Sequence, residues 1–102
     1  MKRVMVRYKV KPDRAGENEA FIRSVFDELL QESPDGLRYA SFKLDDGVSF
    51  VHIASIETDD GSNPLSETAA FKAFQAEIKD RCEEPPAAVA LDTIGSYRVF
   101  EA

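Results

Sequence analysis

Tyr39–Ile56, YASFKLDDGVSFVHIASI, reads as two strands joined by a tight turn, and it holds His52, the only histidine of the chain. Asp46-Gly47 between two apolar, β-prone runs is a strong hairpin signal. A two-residue type I′ loop needs positive φ at both central positions, which Gly tolerates freely and Asp better than most. With those two residues as the loop, Asp45 faces Val48. The cross-strand pairs become Lys43–Phe50, Ser41–His52, Tyr39–Ala54 and Leu37–Ile56, interleaved with Phe42–Val51 and Ala40–Ile53. Side chains alternate between faces, so the pairs fall into two sets. Ala40, Phe42, Leu44, Val51 and Ile53 make an apolar face, on which the helices are expected to pack. Tyr39, Ser41, Lys43, Phe50, His52 and Ala54 make a mixed face of aromatic, hydroxyl and ionisable groups. An unpartnered buried polar group costs about 1–3 kcal/mol. The mixed face therefore predicts a semi-polar cavity or a wet interface, uncovered within the protomer.

Outward from the hairpin, the alternation in RVMVRYKVK predicts a strand over 3–11, with Val4, Val6, Tyr8 and Val10 on one face and Met5, Arg7 and Lys9 on the other. Pro12-Asp13 ends it. Ile22, Val25, Phe26, Leu29 and Leu30 recur at helical spacing and predict a helix over 14–32, stopped by Ser33-Pro34-Asp35-Gly36. The hairpin strands fall near 37–45 and 48–57, followed by a loop through Asn63-Pro64. Phe71, Phe74 and Ile78 give the buried stripe of a second helix, about 66–83, which Glu84-Pro85-Pro86 terminates. The final segment predicts a strand from about 89 to 100.

The chain has 102 residues, 43% hydrophobic and 31% charged, which is globular composition and predicts one domain over 1–102. A net charge of −6 argues against nucleic acid and anionic membrane as partners. One cysteine, Cys82, excludes an internal disulfide framework and offers no thiol pair to a metal. No apolar run approaches ~18 residues, and the first ten residues lack an export-type apolar core, so a cytoplasmic protein with no membrane span is expected.

The order β-α-β-β-α-β, joined by right-handed crossovers, gives an α+β, ferredoxin-like protomer with an antiparallel sheet and two helices on one face. The other face is too apolar to leave open, which predicts a homodimer through the sheets. With that order, RYKVKP (7–12) before the first helix and DDGVSFVHIASIE (45–57) as the central hairpin, the chain resembles the dimeric α+β barrel superfamily, and within it the small proteins of the antibiotic biosynthesis monooxygenase type. The resemblance spans nearly the whole chain as a pattern of elements. It implies a ligand between sheet and helices, or in the cleft near the helix after the hairpin, and a monooxygenase that needs no cofactor. Haem-degrading members are recognised by a Trp with an Asn and a His. This chain has no Trp, which argues against haem degradation.

His52 is the leading candidate for chemistry. A neutral imidazole can take a proton from a phenol or an enolisable carbonyl, leaving an anion able to reduce oxygen. It reads also as a structural histidine bonded to Ser41 or to a partner strand. Arg7 is the second catalytic candidate, as a stabiliser of the anion, or else half of an ion pair with Asp92 or Glu57. Tyr39, Ser41, Phe50, Asn63, Phe71, Phe74 and Tyr97 are the candidate substrate-binding residues. Asn63 reads also as a helix cap, with Pro64 at the first helical position. One His and one Cys thirty positions apart make no metal site. The reading is a cofactor-independent monooxygenase-like protein for a small aromatic or polyketide- or quinol-type substrate. The alternatives are a non-catalytic ligand-binding or protein-interaction dimer and a lactone-type isomerase.

Overall fold

The strict alternation of 3–11 becomes β1 (Lys2–Val10), which is central rather than peripheral: the sheet order is β2-β3-β1-β4, antiparallel throughout. The computed structural model describes residues 1–100. A short 3-10 turn, Pro12–Arg14, leads into α1 (Ala15–Glu32), and Ser33 closes α1 in the left-handed conformation with its N–H on the Leu29 carbonyl. Gly36 then has to be glycine. Its φ is +80°, and a Cβ there would meet Thr58 Cγ2 at 2.6 Å.

β2 (Leu37–Lys43) and β3 (Ser49–Ile56) pair in the register expected of them, from Leu37↔Ile56 to Lys43↔Phe50. The turn differs from expectation. The closing pair is Leu44–Ser49, Gly47 N–H bonds the Leu44 carbonyl, and among the turn residues only Gly47 takes positive φ, so the loop is longer than two residues. Asp46 explains it: its carboxylate accepts from the N–H groups of Val48 and Ser49 and from the Ser49 hydroxyl, a local network that a two-residue turn has no room to make. The register survives because both turns place the same residues opposite one another.

After β3 the chain passes Asn63, whose side chain accepts from Leu65 N–H, and a 3-10 turn, Pro64–Glu67. The helix expected over 66–83 is two pieces, α2 (Ala69–Ala76) and α3 (Ile78–Arg81), broken at Glu77. Three donors of the first turn of α2 are satisfied by side chains. Thr68 Oγ1 accepts from Phe71 N–H, and Glu28 of α1 accepts from Ala69 and Ala70 N–H at 3.1 and 2.8 Å. The Glu28 carboxylate thereby ties α2 to α1 and fixes where Phe71 and Phe74 stand.

β4 is Cys82–Ala90, not 89–100 as expected, and residues 91–100 form neither helix nor strand. Pro85-Pro86 does follow the helix end but does not leave the sheet. Proline is tolerated on an edge strand, β4 is an edge, and its register with β1 slips between Arg7↔Ala87 and Lys9↔Glu84.

The faces are the reverse of those expected. Pairing of β1 with β3 sets Val6 opposite His52 and Tyr8 opposite Phe50, so the valine face of β1 continues the mixed face of the hairpin. That is the face the helices cover: Tyr8, Val10, Phe50, Val25, Leu65 and Phe74 form the core, with His52 buried among them. The polar groups of the mixed face are tolerated there because they bond one another. Met5, Phe42, Val51, Ile53 and Val89 lie on the uncovered face, with Phe42 53% and Val89 50% exposed. No helix among the described residues is long and apolar enough to cross a membrane.

Candidate active site

Between the sheet and α2 lies a cavity of about 220 Å³. Its sheet wall is Val4, Val6, Tyr8, Tyr39, His52 and Ala54. Its other walls are Asn63, Leu65 and Ser66 from the loop, Phe71, Phe74, Gln75 and Ile78 from the helices, and Pro86 from β4. The lining is mostly apolar and aromatic, with His52 and two tyrosine hydroxyls on the sheet wall and Asn63, Ser66 and Gln75 on the walls facing it, the composition expected of a small-molecule site.

The ring of His52 is bonded at both nitrogens. Tyr8 Oη lies 2.8 Å from Nε2, while Tyr39 Oη and Ser41 Oγ lie 2.6 and 2.9 Å from Nδ1. Aromatic rings surround it, with centroids of Tyr8 at 5.3 Å, Phe74 at 5.5 Å and Tyr39 at 5.8 Å. Burial disfavours the imidazolium and pushes its pKa down to about 4, so the ring is neutral at pH 7. The same burial disfavours phenolates. It raises Tyr8, against an opposing bond from Asn18, and raises Tyr39 to about 12, against an opposing bond from Ser41.

Further from the cavity, Asn18 donates from Nδ2 to Tyr8 Oη at 2.9 Å and accepts at Oδ1 from Arg81 Nε at 3.2 Å. Arg81 also donates to the Phe74 carbonyl at 2.7 Å, and its guanidinium stands 4.5 Å from the centre of the Phe21 ring. Arg81 and Asn18 are fully buried. No carboxylate among the described residues lies within ion-pair distance of Arg81. Its charge is supported by neutral acceptors and aromatic faces.

Of the residues expected at the site, His52, Tyr39, Asn63, Phe71 and Phe74 surround the cavity. Ser41 reaches it through His52 Nδ1, and Phe50 packs beneath Tyr8, ring centroids 5.5 Å apart. Arg7 does not join them. It pairs with Val51 across the sheet, so its side chain is exposed on the uncovered face, opposite His52. Neither pairing expected of it forms: Glu57 is held by Arg3 and Arg38. Tyr97 is 76% exposed on the irregular C-terminal segment. Tyr8, Asn18 and Arg81 were not expected. Each carries a signal in the sequence, since Tyr8 shares the valine face of β1, Asn18 precedes Ile22, Val25 and Leu29 on the apolar stripe of α1, and Arg81 follows Phe74 and Ile78 on theirs. A polar residue inside an apolar stripe is the informative exception. Among the described residues, no group of three or more His, Cys, Asp or Glu is placed to hold a metal ion.

The fold is a ferredoxin-like α+β domain with a cavity between its sheet and α2. Solved structures of the same shape include one named as an antibiotic biosynthesis monooxygenase, 20% identical with a TM-score of 0.75, the match covering 93% of this chain and all of that one. A second, proposed as an antibiotic biosynthesis monooxygenase from Nitrosomonas europaea, is 20% identical with a TM-score of 0.73, covering 91% of this chain and 89% of that one. A third, so proposed from Caulobacter crescentus, is 23% identical with a TM-score of 0.70, covering 92% and 90%. The chain therefore has the fold of the antibiotic biosynthesis monooxygenase-like proteins, and at these identities the likeness is one of fold. No protein-family profile and no curated protein sequence matches it.

Proposed function

We propose that the protein is a cofactor-independent monooxygenase for a quinol or phenol of one or two rings, bound in the cavity beneath Phe71 and Phe74. The observation that carries this reading is a buried, neutral histidine, bonded to Tyr8, Tyr39 and Ser41, in the sheet wall of a cavity lined mainly by apolar and aromatic side chains. Size sets the ring number. An apolar cavity of about 150 Å³ takes one benzene ring, and this one is about 220 Å³. His52 takes the substrate proton at Nε2 as the Tyr8 hydroxyl turns aside. The anion, screened from water by the two phenylalanines, passes electrons to oxygen. The acidic imidazolium then returns its proton to the peroxide oxygen. For a naphthohydroquinone, one oxygen atom ends on ring carbon as a hydroxynaphthoquinone, and the other leaves as water with a net two substrate hydrogens.

Oxygen uptake with naphthohydroquinone and isotopically labelled oxygen tests it. One label per product molecule is expected, and His52→Ala lowers the rate about 10²-fold or more. Uptake no faster than without protein, or label only in hydrogen peroxide, overturns the proposal. A second reading, a non-catalytic ligand-binding dimer, is favoured by one observation: both nitrogens of His52 already have partners within the protein. Tight quinone binding with no labelled product would select it.

Either reading uses a homodimer. We propose that it forms through the uncovered sheet face, whose Met5, Phe42, Val51, Ile53 and Val89 need cover. Light scattering is expected to give about twice the 11.4 kDa chain mass, and Val51→Lys is expected to give monomer. A monomeric native protein at micromolar concentration sinks this part.

A further inference from the structure

We infer that Arg81, acting through Asn18 and Tyr8, fixes His52 as its Nδ1–H tautomer and so makes the polar wall of the cavity a hydrogen-bond donor to a carbonyl or phenolate oxygen. The direction of each bond follows from what its groups can do. A guanidinium only donates, so the amide oxygen of Asn18 faces Arg81 and its NH₂ faces Tyr8. Tyr8 Oη thus accepts from Asn18, and among the described residues its own hydrogen has one acceptor in reach, His52 Nε2. Nε2 therefore holds the lone pair. A neutral imidazole carries one N–H, which falls on Nδ1 and donates to Tyr39 and Ser41.

Those hydroxyls accept from the ring, so their hydrogens are directed elsewhere. Tyr39 lines the cavity, and its O–H is the donor offered to a ligand. The buried charge of Arg81 polarises the whole chain in one direction, favouring negative charge at the Tyr39 end. Arg81 is in this sense a positioning residue. A chamber so arranged selects quinones and phenolates over amines. The ligand class rests on the function proposed above, whereas the tautomer does not.

With a single histidine in the chain, long-range nitrogen–proton correlation NMR reads the tautomer without assignment. The native protein is expected to show N–H at Nδ1 only. Asn18→Asp places an acceptor beside Tyr8 and a carboxylate beside Arg81, which keeps the buried charge paired. There Tyr8 donates to the carboxylate, and the tautomer inverts to Nε2–H. Arg81→Lys, still a donor to Asn18, is expected to keep Nδ1–H, and Arg81→Met to give a mixture. In the same variants naphthoquinone is expected to bind Asn18→Asp at least tenfold more weakly than native protein, while naphthalene, of the same shape without acceptors, binds both alike. Nε2–H in the native protein, an unchanged tautomer in Asn18→Asp, or equal weakening of both ligands overturns the inference. Loss of oxygenation alone leaves the tautomer result standing and strikes only the proposed reaction.

Discussion

Phe74→Ala is expected to lower the unfolding free energy by about 3–5 kcal/mol. The ring is 5% exposed, and it packs against Tyr8, His52 and Phe71 at centroid distances of 6.2, 5.5 and 5.9 Å. Its loss removes the most deeply buried contact of α2 with the core and merges its volume with the adjoining cavity of about 220 Å³. The surroundings have little freedom to collapse into that space. The Phe74 carbonyl stays bonded to Arg81, and the start of α2 stays bonded to Glu28, so the backbone is held in place. That puts the substitution toward the costly end of its class. A domain with a total stability of about 5–15 kcal/mol then loses a large share of it. Urea denaturation measures the effect. Phe74→Leu, which keeps most of the volume, is expected to cost about 1.5 kcal/mol or less. A loss below about 1 kcal/mol for alanine would mean that α2 is held by its caps and not by this ring. Ligand affinity separates the two substitutions again, since alanine opens the chamber to solvent and leucine does not.

The same packing shows why the hairpin was legible in the sequence and the face it buries was not. Register follows from Asp46-Gly47 and from period-two alternation, both local, and each pair from Leu37–Ile56 to Lys43–Phe50 forms as expected. The choice of face depends on which residues of β1 lie beside β3, a non-local fact. Hydrophobicity pointed to Phe42 and Val51, because a lone His, Ser and Tyr look costly to bury. They are not costly once they bond one another, and the partner that completes the set, Tyr8, comes from a different strand. The helix-covered face is therefore the mixed one, His52 lies inside the fold, and Arg7, expected beside it, faces outward. The edge strand is hidden in the sequence for a related reason. Pro85-Pro86 is a sound helix stop, but only the sheet order shows that β4 has one unpaired side on which proline costs little. Asn18 and Arg81 are not legible locally, because the partners that make their burial tolerable come from other elements. Each occupies an apolar stripe at helical spacing, where a polar side chain marks either an error of pattern or a buried network, and here it marks the network.

Stability at mildly acid pH is expected to fall through His52 alone by roughly 2 kcal/mol between pH 7 and pH 5. The folded pKa is about 4 because burial disfavours the imidazolium, whereas the unfolded value is about 6.5. A depressed pKa means that the unfolded chain binds the proton more readily. The stabilisation is therefore complete above about pH 6.5 and is lost as the pH falls toward 4, approaching about 3 kcal/mol at the lower end. Carboxylates contribute little in the upper part of this window. Asp46 is held down to about 2 by its bonds to Ser49 and Val48, so its contribution fades only below the window. Glu57, lowered first by Ser55, begins to lose its contribution near the bottom of it. His52→Gln carries no titrating group and leaves those carboxylates unchanged. Urea midpoints at pH 7 and pH 5 should therefore separate for the native protein and nearly coincide for the variant. Because the chain has one histidine, the difference between the two slopes belongs to this ring. Parallel slopes would show that water reaches the ring and that the cavity is no low-dielectric site for an anion. The proposed oxygen chemistry would fall with it, since a hydrated His52 would titrate near 6.5 and could not be the acidic imidazolium that returns a proton to peroxide.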